Sequence, residues 1–247
     1  MRVVSLVPSL TETLLACGVD VVGRTRYCVH PAEVVQDISV VGGTKGVNWD
    51  KVMKLSPDLV VMDKEENTRE MADSCPFPWH ATHITSIQSA GKELKGLAKR
   101  VSSSDLEALA SSWRALAAAP DKIFTGWAGF PGVESLIGDY SAEFDSLEYL
   151  IWRDPWMSVG PNTFIGSMLQ KVGLSQYMCD HTKSYPELTD KLPEKGTFYM
   201  FSTEPYPFAR YLDELAEKGF NGALVDGEFF SWFGIRSYRM LENYLES

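Results

Sequence analysis

Short apolar runs rich in valine, leucine and isoleucine alternate along this chain with stretches where apolar residues return every three or four positions. RVVSLV (2–7) leads into helical spacing over 9–17, and Ser9 with Glu12 has the spacing of a capping box. VDVVGRT (19–25) reads as the second strand. ISVVGG (38–43) precedes a short helix over 48–55, and PDLVVMD (57–63) precedes one over 65–73. WHATHI (79–84) is the next strand, with His80 on its face and His83 near its end. An amphipathic stretch covers 86–100, and a new helix begins after it, with Ser104 as its N-cap and Pro120 as its stop. Over 121–146 the periodicity fades into glycine, aromatic and acidic residues, which predicts an irregular insertion. Alternation then resumes with LEYLIW (147–152), a helix over 163–172, TFYMF (197–201), a helix over 208–218, GALVD (222–226) and a last helix over 235–245.

Strands alternating with helices predict βαβ units, hence an α/β fold with mainly parallel sheets. Two halves share this grammar: 1–100 forms an N-terminal lobe, 101–120 a bridging helix, and 121–247 a C-terminal lobe with the insertion at 121–146. In open α/β sheets, ligands bind beyond the carboxyl ends of the strands. The segments that follow the predicted strands are RTRYCVHP, GGTKGVNW and DKEENTRE in the first half, and WRDPWMSVGPNT, STEPYPF and DGEFFSWFG in the second. They hold most of the unusual residues of the chain. Facing one another, they would line an aromatic and acidic cleft.

Composition narrows the partners. Lys plus Arg is 23 against 33 Asp plus Glu, a formal charge of -10 with no basic cluster, which argues against nucleic acid. The N-terminal apolar run stops at Pro8, and no later run nears the roughly 20 residues of a membrane span. As the sequence stands it predicts a cytoplasmic protein with no membrane insertion, or a periplasmic one if a leader has been removed. The four cysteines form no CxxC pair. There is no GxSxG, GxGxxG or P-loop motif, so the expectation is a protein that is not an enzyme.

VVSLVPSLTETLLACG, VVGRTRYCVHP, VVGGTKGVNWDKVMKLSPDLVV and GALVDGEFFSWFG together resemble the helical-backbone substrate-binding proteins of ABC transporters. The resemblance is strongest over 1–118 and looser from about 147. EEN (65–67), IWRDPWMSVGPNTFIGSML (151–169) and EPYPF (204–208) look like a cobalamin-binding-like branch. This resemblance implies two Rossmann-like lobes joined by a rigid backbone helix, as in class III periplasmic binding proteins. It also implies non-enzymatic binding of a small metal-bearing ligand, with a cobalamin-like corrinoid first and a siderophore or haem as alternatives. Tyr27 falls where the cobalamin binders set an aromatic against the corrin, and Trp232 matches a second such aromatic. Where those proteins carry a tryptophan, this chain has Thr44 or Lys45, with Trp49 nearby. Docking to a transporter permease is implied through one acid on each lobe; Asp50 matches the first, and the second falls on Gly234.

The residues themselves leave alternatives open. Cys28 and His30, two apart, would point to one face of a strand, and thiolate with imidazole suits a transition metal. Glu65, Glu66 or Asp226 would have to complete such a site, making a metal-ion protein or metalloenzyme the rival reading; Cys28, His30 and Glu66 are its first candidates. CDH (179–181) repeats the Cys-x-His spacing. The favoured reading makes both Cys28 and His30 pocket-mouth residues; a plainer one makes Cys28 half-buried packing and His30 a loop hydrogen-bonder. Glu65, Glu66, Glu204, Asp226 and Glu228 sit just past predicted strand ends, beside Asn67, and Arg26, Lys45, Arg153 and Arg236 are at hand to pair with them. These polar groups would bond the amide fringe of a ligand or tie loops together. Tyr27, Trp49, Trp152, Trp156, Tyr206 and Trp232 are loop aromatics suited to stacking on a flat ligand.

Overall fold

The computed structural model describes residues 1–140, 143–188 and 192–246. They form two compact units. The first takes Met1–Ala119 with Trp232–Arg239, and the second Pro120–Ser231 with the C-terminal residues from Met240 onward.

In the first unit the chain runs β1 (Arg2–Ser5), α1 (Pro8–Ala16), β2 (Asp20–Thr25), α2 (Ala32–Val35), β3 (Ser39–Gly43) and β4 (Gly46–Val47). It continues through α3 (Trp49–Leu55), β5 (Leu59–Asp63), α4 (Arg69–Asp73), β6 (Trp79–Thr82), α5 (Ile87–Val101) and α6 (Ser104–Ala118). The sheet order is β4-β3-β2-β1-β5-β6, parallel except where β4 folds back on β3. β5 is buried at all five positions, as expected of a strand covered on both faces, which is why LVVMD reads as a continuous apolar run. The chain builds outward from β1 on one side and then returns to lay β5 on the other. The strand order therefore reverses beside β1, the place where such sheets receive ligands.

Helix starts differ from the sequence reading in two places. α1 begins at Pro8 with Val7 as its cap, so Ser9 and Glu12 form no capping box. Proline lacks an N–H and carries a preset φ, which suits the first helical position and moves the start ahead of Ser9. Glu12 instead holds Arg236 through two hydrogen bonds of 2.9 and 2.8 Å. α6 is capped by Ser103 rather than Ser104, its hydroxyl accepting from the Leu106 N–H at 3.2 Å. Along α5 the buried residues Ile87, Ala90, Gly91, Leu94, Leu97, Ala98 and Val101 make one helical stripe. A Cβ on Gly91 would lie 2.6 Å from Arg114 Cγ and 3.0 Å from the Ala110 carbonyl oxygen, so this glycine lets α5 and α6 approach closely.

The second unit runs β7 (Val133–Ile137), β8 (Ser146–Trp152), β9 (Met157–Ser158), α7 (Phe164–Lys171), β10 (Thr197–Ser202), α8 (Leu212–Glu217), β11 (Gly222–Val225) and α9 (Gly227–Ser231). α10 (Ile235–Glu246) closes the chain. Its sheet has the order β7-β11-β10-β8-β9, with a parallel centre and antiparallel β7 and β9 at the edges. β10 is buried throughout.

The stretch expected as an irregular insertion, of which 141–142 lie outside the described residues, is integral to this unit. It supplies the edge strand β7 and an aromatic cover for the sheet. Trp127 stacks on Phe198 of β10 at 4.0 Å between ring centroids and 11° between planes, with Phe124, Phe130 and Phe144 around it. β7 was missed because VESLI mixes polar and apolar residues without a clear run. Among the described residues, no helix is long and apolar enough to cross a membrane.

Candidate functional site

The turn after β2 sets the chemistry of the first unit. The Tyr27 N–H donates to Thr25 Oγ1 at 3.2 Å, and the Arg26 N–H donates to the Gly42 carbonyl of neighbouring β3 at 2.9 Å. These bonds fix the turn while leaving the Tyr27 ring 53% exposed, with the Arg26 guanidinium 5.7 Å from its centre. His30 follows, half-buried, its ring edge-on to Trp232 at 5.3 Å. Trp232 is 8% exposed, with the Arg236 guanidinium 5.4 Å from its ring centre. The structure thus brings Tyr27, Arg26, His30 and Trp232 into one unit.

Cys28 does not line a mouth. It lies past the end of β2 rather than on it and is fully buried; Thr11 Oγ1 and Thr25 Oγ1 each sit 3.1 Å from its sulfur. Burial pushes its thiol above the ordinary value, and hydrogen bonds from Thr11 and Thr25 only partly offset this. Among the described residues no third donor gathers with Cys28 and His30, nor with Glu66, so the proposed metal set does not assemble.

At the end of β5 the acidic cluster divides. Asp63, passed over in the sequence, is fully buried; its carboxylate accepts from Thr82 Oγ1 at 2.6 Å, the Glu65 N–H at 2.9 Å and the Ile84 N–H at 3.4 Å. Burial raises its carboxyl above the usual value against the pull of those bonds. Asn67 is 7% exposed and its side chain is bonded within the protein. Its amide donates to the carbonyls of Leu6 at 3.2 Å and Thr44 at 2.8 Å, and its oxygen accepts from the Asp63 N–H at 3.0 Å. It clips three loops together beside the reversal in strand order. Glu65 remains at the surface, 3.3 Å from His83 Nε2, and Lys45 Nζ donates to its carbonyl at 3.0 Å. Glu66 is half-buried. Trp49 is half-buried against the sheet core, its indole N–H donating to Ser74 Oγ at 3.1 Å, and therefore packs rather than stacks on a ligand.

In the second unit the carboxyl ends of β8, β10 and β11 carry the remaining candidates. Trp152 is 41% exposed, edge-on to half-buried Tyr206 at 5.4 Å. Arg153 is spent on Glu214, donating to its two oxygens at 2.6 and 3.3 Å, and it covers Trp156 and Tyr211 at 5.5 Å each. Those bonds raise the Arg153 guanidinium, while hydrogen bonds from Arg153 and then Lys218 hold the Glu214 carboxyl down to about 2. Trp156, half-buried, lies parallel to Phe208 against the core of the unit, so Arg153 and Trp156 both have partners within the fold. Asp226 accepts from the Glu228 and Phe229 N–H groups at 2.9 and 3.1 Å and so caps α9. Glu228 is half-buried and Glu204 exposed.

Residues 3–74 match the family model of periplasmic binding proteins. Part of the chain resembles a vitamin B12-binding protein of Salmonella choleraesuis strain SC-B67, 33% identical over 72 residues, which is 29% of this chain and 27% of that protein. The chain therefore spans about a quarter of the length of this curated relative. Similarity in structure extends much further. The periplasmic vitamin B12 binding protein BtuF of Vibrio cholerae superposes with a TM-score of 0.66 at 15% identity, over 99% of this chain and 95% of that one. Its fold is that of the periplasmic binding proteins. The Fe3+-Desferal-bound siderophore binding protein FhuD from Vibrio cholerae has the same architecture, with a TM-score of 0.68 at 16% identity over 99% and 96% of the two chains. The resemblance to periplasmic binding proteins read from the sequence therefore holds for the fold.

On this periplasmic-binding-protein fold, the two positions matched to permease docking differ physically. Asp50 is exposed in the first turn of α3. Gly234 has φ +127°, a Cβ there would lie 2.1 Å from Thr13 Oγ1, and its carbonyl accepts the buried Trp113 indole N–H at 3.1 Å. No acid fits at that position. One cluster is only half legible in the sequence: Cys179 and His181 are joined by Glu148 of β8. His181 Nε2 lies 2.9 and 3.1 Å from the two Glu148 oxygens. Burial, and then the hydrogen bond to Glu148, push the Cys179 thiol up to about 12. The Cys-x-His spacing was visible, but the carboxylate came from a strand 33 residues before His181.

Proposed function

We propose that this chain is a non-enzymatic ligand-binding protein of the ABC-transporter substrate-binding kind, and that its ligand is a cobalamin-like corrinoid. The observation that carries the reading is Tyr27. It stands 53% exposed on a hydrogen-bonded turn at the carboxyl end of a central parallel strand, within the segment that matches the periplasmic-binding-protein family model. A flat, rigid, amphipathic side chain gives stacking area at little entropic cost. Arg26, Lys45 and Glu65 at the neighbouring loop ends supply donors and an acceptor for amide groups around a macrocycle. Trp152, the exposed aromatic at the carboxyl end of β8, is the second unit's contribution to ligand contact. Of the permease contacts implied by the family, Asp50 is retained in this reading and Gly234 is not.

The test is a titration of the purified chain with aquocobalamin, haem and ferric desferrioxamine in turn, read as quenching of tryptophan fluorescence with an absorbance control. The reading predicts saturable quenching by cobalamin at micromolar concentration and weaker effects from the others. Saturation by haem or the ferric siderophore alone would replace the corrinoid while leaving ligand binding intact. Silence from all three would overturn the reading.

A further inference from the structure

β8 carries one charged residue, Glu148, and it is only 7% exposed. Burying a carboxylate is costly unless donors or a cation meet it. Three side chains do so: His181 Nε2 at 2.9 Å, the Ser158 hydroxyl, and the Cys179 thiol. β9 and the segment after α7 are arranged for this. Met178 bridges Leu147 of β8, the Cys179 N–H donates to the Leu147 carbonyl, and the Ser158 N–H donates to the Pro186 carbonyl at 3.0 Å. Cys179 and His181 are thereby held along the edge of the sheet, against Glu148. Among the described residues this is the one group of three His, Cys, Asp or Glu whose ligand atoms all lie within 4.8 Å of one another.

We propose that Glu148, Cys179 and His181 form a binding site for a thiophilic divalent cation, Zn²⁺ in first place. Thiolate, imidazole and carboxylate are the three side-chain ligand types zinc takes, at about 2.3 Å for sulfur and about 2.0–2.2 Å for nitrogen and oxygen. Tetrahedral zinc with those bonds spaces its ligand atoms roughly 3.3–3.6 Å apart. The donors need to shift by no more than about an ångström to close on an ion. Three protein ligands leave a fourth position for water or the Ser158 hydroxyl, which lies 3.1 Å from the Tyr149 carbonyl and faces the same carboxylate. The His181 side chain is 20% exposed, so the ion has a way in. Binding exchanges protons for the cation: the Cys179 thiol releases its proton to solvent, and no electron changes hands. Cys28 and His30 have the same spacing, but the Cys28 sulfur is enclosed by two threonine hydroxyls and, among the described residues, no third donor gathers beside the pair.

The test uses the whole chain, stripped with a chelator and equilibrated with Zn²⁺, then separately with Co²⁺ as a spectroscopic probe. The site predicts one tightly held Zn²⁺ per chain. It also predicts a Co²⁺ spectrum with intense tetrahedral visible bands and a near-ultraviolet thiolate-to-cobalt band. Loss of an outer-shell partner costs metal sites about 10–100-fold in affinity, so Cys179→Ser and His181→Ala should each cost at least about 100-fold. His30→Ala should leave affinity unchanged. Absence of a stoichiometric ion, no thiolate band, or undiminished binding in folded Cys179→Ser would each overturn the proposal. If that variant does not fold, the Co²⁺ spectrum of the unaltered chain decides: the thiolate band upholds the site and its absence removes it.

Discussion

Gly234→Glu, the change that would restore an acid at the second docking position, is expected to lower folding stability by about 3 kcal/mol or more. Two costs combine. The backbone there sits at φ +127°, a conformation that costs a side-chain-bearing residue roughly 1–3 kcal/mol. The new Cβ also meets Thr13 Oγ1 at 2.1 Å, and relieving such overpacking costs a further 1–3 kcal/mol, by a rough estimate. Thr13 cannot easily yield, because its hydroxyl donates to Ser9 and accepts from the Ile235 N–H. Gly234→Ala shares both costs and separates them from charge. Urea unfolding should show both variants well below the parent. A loss of under about 0.5 kcal/mol in Gly234→Ala would mean that this corner is soft, and that the missing acid needs another explanation.

Trp127→Ala is expected to be the most damaging change in the second unit, at about 3–5 kcal/mol, the range for deleting a large buried aromatic. Trp127 is 8% exposed and stacked on Phe198, with Phe124, Phe130 and Phe144 in ring contact. Trp127→Phe keeps an aromatic stack and should lose less than half as much. Denaturant midpoints of the two variants check this. If Trp127→Ala unfolds like the parent, the 121–146 stretch is a dispensable insertion after all.

Most strands were legible because β1, β5 and β10 are buried on both faces, and such strands must be written as unbroken apolar runs. Helix ends were read less well, since Pro8 and Ser103 each compete with a neighbour that also looks like a cap. β7 was invisible because an edge strand need not be apolar throughout. The candidate site shows the same divide. Tyr27 was legible from its place after a strand. Asn67, Arg153 and Asp226 looked like ligand groups; in the structure they form a clip, half of an ion pair and a helix cap, the first two with partners far along the chain and the third with N–H groups two and three residues on. Glu148 with Cys179 and His181 was half hidden for the converse reason: only folding brings its parts together.

The most direct test of the account is calorimetric titration of aquocobalamin into Tyr27→Ala, beside Tyr140→Ala as a control that removes an equally exposed tyrosine, 51% accessible, from the second unit. Loss of one good stacking contact, roughly 1.4 kcal/mol, corresponds to tenfold in affinity. The prediction is at least that loss for Tyr27→Ala and parental affinity for Tyr140→Ala. Parental affinity in Tyr27→Ala would contradict the claim that the ligand rests on this ring.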